Sequence, residues 1–182
     1  MVSVDEAERL ARELLAGMPA RLRHVEAVAR RAVEIAGAVE PDERDVLIAA
    51  AWLHDIGYAD EAVRTGSHHL DGANYLSGLD EERLAGLVAF HGAALEEARL
   101  RGLDNELLAF SDEDSRVSQA LTYCDLVTRA DGTEVTLEER IGDVRERYGG
   151  EHVVARALED ARARLERVVA NVEGRLASVA TR

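Results

Sequence analysis

The chain reads as an all-α protein, a bundle of helices ending in one long C-terminal helix. Only 2 prolines occur in 182 residues, so little interrupts helical hydrogen bonding. Ala, Leu, Glu and Arg, all strong helix formers, recur throughout. Apolar residues are spaced by threes and fours, the period of a helix face rather than a strand. No internal repeat, low-complexity tract or Pro/Ser-rich linker divides the sequence, which predicts one domain over 1–182: a core of roughly 20–130 and a C-terminal helical extension of 136–180.

Ser3 with Glu6 forms a capping box that opens a first helix over about 4–16, stopped by Gly17. A second helix, about 19–37, carries His24 on a face with Val25, Val28, Ala32 and Ile35. Pro41 and Asp42 open a third, which ends at His54-Asp55 with Gly57 as its stop. Residues 57–67 read as a loop, His68 starts a short helix, and another runs from Asp80 to about His91. Between 92 and 110 only 95–100 reads as helical. Ser111 with Asp114 predicts a helix over about 112–128, with Asp125 near its end. The acidic clusters at 80–82 and 112–114 fit first turns, where the helix dipole favours negative charge. Thr136 with Glu139 caps a further helix, closed by Gly149-Gly150. The last, about 151–178, spaces Val154, Leu158, Ala161, Leu165, Val168, Val172, Leu176 and Val179 as a stripe. That stripe reads first as a face laid on its own bundle; the same spacing permits a homodimer seam.

Charge and missing motifs narrow the function. A net charge of -14 argues against duplex nucleic acid as a partner, because its phosphates would be repelled. All 22 basic residues are Arg, which excludes a phosphate loop built on Lys and any Schiff-base chemistry. No apolar run is long enough to span a bilayer, and Met1-Val-Ser-Val-Asp-Glu-Ala-Glu lacks the basic start and apolar stretch of a signal peptide. The single cysteine, Cys124, excludes an internal disulfide, fits a reducing cytoplasm and reads as a packing residue.

The run Asp45-Val-Leu-Ile-Ala-Ala-Ala-Trp-Leu-His-Asp-Ile-Gly57 is apolar until it ends in a His-Asp doublet. An imidazole and a carboxylate are costly to bury without a partner, and a divalent cation is a natural one. Adjacent helical residues point about 100° apart, so His54 and Asp55 can share an ion only near a helix end. His24 lies on an apolar helix face, and Asp125 lies in the apolar stretch Ala120-Leu-Thr-Tyr-Cys-Asp-Leu-Val. Alone, either would read as an ordinary buried, hydrogen-bonded residue; together with the doublet they predict a His2Asp2 metal set. Nitrogen and oxygen donors without thiolate suit Mn, Fe, Co, Ni or Mg.

The order His24, His54-Asp55, His68, His91, Asp125 resembles the HD superfamily of metal-dependent phosphohydrolases over about residues 20–130. The resemblance implies an HD-domain bundle holding one or two divalent ions, with a metal-activated hydroxide cleaving a nucleotide or other small phosphate ester. His68, four residues before Gly72-Ala73, and His91, in Leu87-Val-Ala-Phe-His-Gly, resemble the second-metal ligands of two-metal members, in which Asp55 would bridge. Otherwise both are substrate-contacting or loop histidines. His69 stands where the cyclic-dinucleotide phosphodiesterases of the superfamily often have proline, and receives no role. His152 lies outside the set and reads as solvated.

Arg21-x-x-His24 resembles the HD hydrolases of dinucleoside polyphosphates, and Arg21 shares a helix face with His24, within reach of a phosphate. Asp55 and Arg21 are therefore the catalytic candidates, with Arg64 and Arg129 as further phosphate contacts or plain surface charges. Leu126 to Gly132 departs from the pattern of the dinucleoside polyphosphate hydrolases, and Tyr58 after Gly57 from that of the cyclic-dinucleotide phosphodiesterases, which leaves the substrate open. Two other functions fit the same ligand order: a mixed-valence di-iron oxygenase, and a metal-stapled helical module without catalysis.

Overall fold

A computed structural model describes residues 2–129 and 131–180. Ten α-helices and no strand occur among them, with the long C-terminal helix in place, so the all-α expectation holds. Helices α1 (Val4–Leu14), α2 (Pro19–Glu34) and α3 (Arg44–Leu53) come first. They are followed by α4 (His68–Ser77), α5 (Glu82–Phe90), α6 (Ala94–Arg101) and α7 (Asp104–Leu107). The chain closes with α8 (Arg116–Leu126), α9 (Leu137–Tyr148) and α10 (Val153–Ala180). No helix among the described residues is long and apolar enough to cross a membrane.

The apolar run of α3 makes it the central rod: Val46, Leu47, Ala49, Ala50, Ala51, Trp52 and Leu53 are all buried. Helices α1, α2, α5 and α8 pack around it. Both predicted capping boxes form: the Ser3 hydroxyl accepts from the Glu6 amide at 3.3 Å, and that of Thr136 accepts from Glu139 at 3.2 Å. Helix α10 lies across α6, α8 and α9. Ala155, Ala157, Leu158, Ala161, Leu165 and Val172 are buried there, so the stripe packs on its own bundle.

Helix α8 starts four residues later than the Ser111 cap predicts. The hydroxyl of Ser115 takes the capping role, accepting from Val117 N at 3.1 Å and Ser118 N at 3.2 Å. Residues 111–115 are held outside the helix because Arg83 of α5 binds the Glu113 carboxylate at 2.9 Å. Helix α5 likewise begins at Glu82 rather than Asp80, whose φ of 60° is incompatible with a right-handed turn.

One glycine decides where the second half of the site lies. After α3 the chain makes a short 3-10 turn over Ile56–Tyr58, and the start of α4 presses on it. A Cβ at Gly57 would sit 1.9 Å from the His68 carbonyl oxygen and 2.6 Å from Gly72 N. Both are backbone atoms, which cannot swing aside. Gly57 is thus needed for close approach, and through it the residues after the His-Asp doublet meet the first turn of α4. The preceding loop is tied down by Asp71, whose carboxylate accepts from the amides of Thr65 (2.8 Å) and Gly66 (3.0 Å).

Candidate metal centre

Seven polar side chains converge beside one cavity: Asp55, just past the end of α3, and six from five helices. Helix α2 supplies Arg21 and His24, and α8 supplies Asp125. His54 terminates α3 and His91 terminates α5, so the negative ends of two helix dipoles point into the centre. His68 opens α4. The turn after His91 is fixed by Gly92 N, which donates to Thr122 Oγ1 at 3.1 Å, and by Arg164, which donates to the Gly92 carbonyl at 3.0 Å.

The donors form two groups joined by one carboxylate. His24, His54 and Asp55 make the first, with ligand atoms within 4.8 Å of one another. Asp125 Oδ1 lies 2.9 Å from His24 Nε2 and 3.9 Å from His54 Nε2. His68, His69 and His91 make the second. Asp55 Oδ2 faces the first group, 3.4 Å from His54 Nε2, whereas Oδ1 faces the second, 3.5 Å from His68 Nε2. A carboxylate divided in this way offers one oxygen to each donor group.

The tautomers of His54 and His91 fit ligation. His54 Nδ1 donates to the Ala51 carbonyl at 2.8 Å, and His91 Nδ1 donates to that of Val88 at 2.7 Å. Each ring therefore turns the lone pair of Nε2 outward, the arrangement of a histidine oriented for a metal. His54 Nε2 is buried with no hydrogen-bond partner despite its nearness to Asp55. A lone pair facing an ionised carboxylate is repelled unless a cation lies between them. The donor set thus fits a divalent metal.

Burial alone would raise the carboxyl of Asp55, but the Arg21 guanidinium beside it holds it well below the usual range. Asp125 is likewise held low against burial, by His24 and Arg140. Burial drives His68 and His91 the other way. It takes His68 from 6.5 down to about 3 against the pull of Asp55, and lowers His91. Ionised carboxylates and neutral imidazoles are the forms that bind metal. For the metal-free protein the sign follows. Between about 6.5 and about 3 the unfolded chain binds a proton at residue 68 that the folded chain refuses, so stability falls as pH falls. Each such histidine adds up to about 1.4 kcal/mol per pH unit to that slope. Urea midpoints of metal-free protein should therefore drop between about pH 7 and about pH 5. Equal midpoints would refute this account.

Above the donors lies a cavity of about 530 Å³. Arg21 donates to Asp55 Oδ2 at 2.6 Å while its guanidinium lies 3.9 Å over the ring of Tyr58. Tyr58 in turn stacks on His68 at 4.4 Å. Arg129 reaches the cavity wall but is held there by a forked pair to Asp143, at 2.7 and 3.1 Å. Arg64 is exposed, donates to the Val63 carbonyl at 2.6 Å, and is not among the cavity-lining residues.

Sequence reasoning missed the opposite wall. Helix α9 contributes Arg140, Asp143, Val144 and Arg147, and Arg140 donates to Asp125 Oδ1 at 3.1 Å. Their spacing of 3, 4 and 7 marks one helix face, a signal visible in the sequence, although nothing there says what the face meets. His69, to which the sequence assigns no role, also stands in the second donor group.

A family model described as the HD domain matches residues 21–143, which takes in every donor above and reaches into α9. No curated protein and no solved structure gives a significant match.

Proposed function

The chain belongs to the HD domain family, and on that premise we propose that it is a metal-dependent phosphohydrolase cleaving a small phosphate ester or anhydride, foremost a nucleotide. In this reading His24, His54, Asp55 and Asp125 hold one cation, and His68 and His91, sharing Asp55, hold another. The single observation that carries it is the buried Nε2 lone pair of His54 set against the ionised Asp55, at the floor of a cavity. Bound there, the cations supply Lewis-acid activation of water and neutralise charge developing at phosphorus.

The remaining work falls to side chains. Arg21 has five N–H donors; those beyond the bond to Asp55 bind phosphate oxygens, and the ring of Tyr58 keeps the guanidinium flat for that contact. Arg140 orients Asp125 through their hydrogen bond. Helix α9 walls the cavity and keeps bulk water from the phosphate. A volume of about 530 Å³ is ample for a nucleotide. Arg129 could reach a phosphate only by leaving Asp143, which makes it subsidiary to Arg21.

The test is direct. Chelator-stripped protein is reloaded with Mn, Fe, Co, Ni or Mg and offered mono-, di- and cyclic nucleotides and dinucleoside polyphosphates. Release of phosphate or nucleotide by reloaded protein alone is the expected result. No release with any pairing, or oxygen consumption by iron-loaded protein in its place, would overturn the proposal.

A further inference from the structure

Helix α4 opens on two histidines, and the second is the less explained. His69 is 5% exposed and lies one residue inside the helix. Its ring centroid is 3.7 Å from that of His68 and 4.5 Å from that of His91. Nδ1 is buried without a hydrogen-bond partner. Leaving such a group unsatisfied costs about 1–3 kcal/mol. Packing does not require it either, since an apolar ring of that size would fill the space without an orphaned nitrogen. One ring nitrogen from each of His68, His69 and His91 falls within 4.8 Å of the others, close enough to serve one ion.

We propose that His69 is a third imidazole ligand in the second donor group, which makes this chain's second site selective for a transition ion over Mg(II). The inference rests on the metal-dependent reading above and goes further, since His68 and His91 with the shared Asp55 would suffice for an unselective site. Two imidazoles, a bridging carboxylate and water leave room for hard ions. Three imidazoles with Asp55 Oδ1 form a nitrogen-rich set, which suits Co(II), Ni(II), Zn(II) or Fe(II) and offers little to Mg(II). Consecutive ligands are feasible at position 69 for the same reason as at His54-Asp55: both pairs sit at a helix end, where an ion can lie off the axis.

The test is Co(II) binding by the full-length, metal-stripped protein, followed by visible absorption and by equilibrium dialysis with and without excess Mg(II). The variants are His69→Ala, His69→Pro and His69→Cys. Proline is tolerated in the first turn of a helix, where the amide has no partner within the helix, so it removes the imidazole and keeps α4. The expected result is a Co(II) equivalent that Mg(II) does not displace in wild type. In the Ala and Pro variants its affinity should fall by more than the roughly 10- to 100-fold typical of losing an outer-shell partner. His69→Cys should show a thiolate-to-cobalt charge-transfer band that wild type, with its thiol confined to buried Cys124, lacks. A merely structural histidine would produce no such band. Variants that bind Co(II) as wild type does, with no band from Cys, would overturn the role of His69 and leave the metal reading intact. Wild type that binds no Co(II) would overturn both.

Discussion

Asp55→Ala is expected to abolish product release, by on the order of a thousandfold or more, and to lower metal occupancy at both donor groups together. Such a loss follows when several kcal/mol of charge stabilisation leave the transition state. The joint effect on both groups is the specific part of the prediction. Asp55 alone offers one oxygen to the His24–His54 side and the other to the His68 side, so its removal cannot be confined to one ion. His91→Ala should instead deplete one ion and leave the other.

Stability should move far less than activity. Breaking a buried ion pair commonly costs 3–5 kcal/mol because a charge is stranded. Here the stranded group is Arg21, whose side chain is 26% exposed, so its charge is already partly solvated. Helical circular dichroism should be retained and the melting temperature should shift by only a few degrees, the scale of about 1–2 kcal/mol for a chain of this size. Elemental analysis beside a thermal melt decides the matter: full metal content in folded Asp55→Ala, or retained turnover, would sink the shared-carboxylate account.

How much of this was legible depended on whether a residue broke a local rule. His54 and Asp55 stand out because α3 is apolar without interruption from Val46 to Leu53. His24 and Asp125 stood out for the same reason, and the structure brings these four together. Position 69 was harder, because two adjacent histidines at a helix start carry no periodicity that says which faces inward. Both do, through the press of α4 on the turn at Gly57. The start of α8 failed for a related reason. Ser111 and Ser115 are both competent caps, and the choice is made by Arg83, 28 residues before the nearer serine in sequence register and paired to Glu113. The α9 wall shows the limit of local reading: capping and periodicity fix the helix, whereas its docking depends on contacts from Arg140 to Asp125 and from Arg129 to Asp143. Arg64 and Arg129 looked alike as loop arginines, yet only the second lines the cavity.

Arg21 provides the second large effect, and the prediction is that activity and metal content separate. Arg21→Ala should lower kcat/KM by about a hundredfold, near the roughly 1.5–3 kcal/mol of a charge-assisted hydrogen bond lost from the phosphate. Metal affinity should hold or rise. The guanidinium sits 2.6 Å from Asp55 Oδ2, where its positive charge opposes the approach of any cation to the same oxygen. Removing it takes away a competitor rather than a support. Arg21→Lys keeps the charge but loses the planar fork and much of the stacking on Tyr58, so a loss of about tenfold is expected. Kinetics should be read at full metal occupancy, with occupancy measured on the same sample. If Arg21→Ala loses its metal in step with its activity, Arg21 is a prop for Asp55 and the phosphate contact must be sought elsewhere on the cavity wall. If metal stays bound while kcat/KM falls, the guanidinium acts on the substrate, and the stack of Arg21, Tyr58 and His68 sets where the phosphate lies relative to the donors.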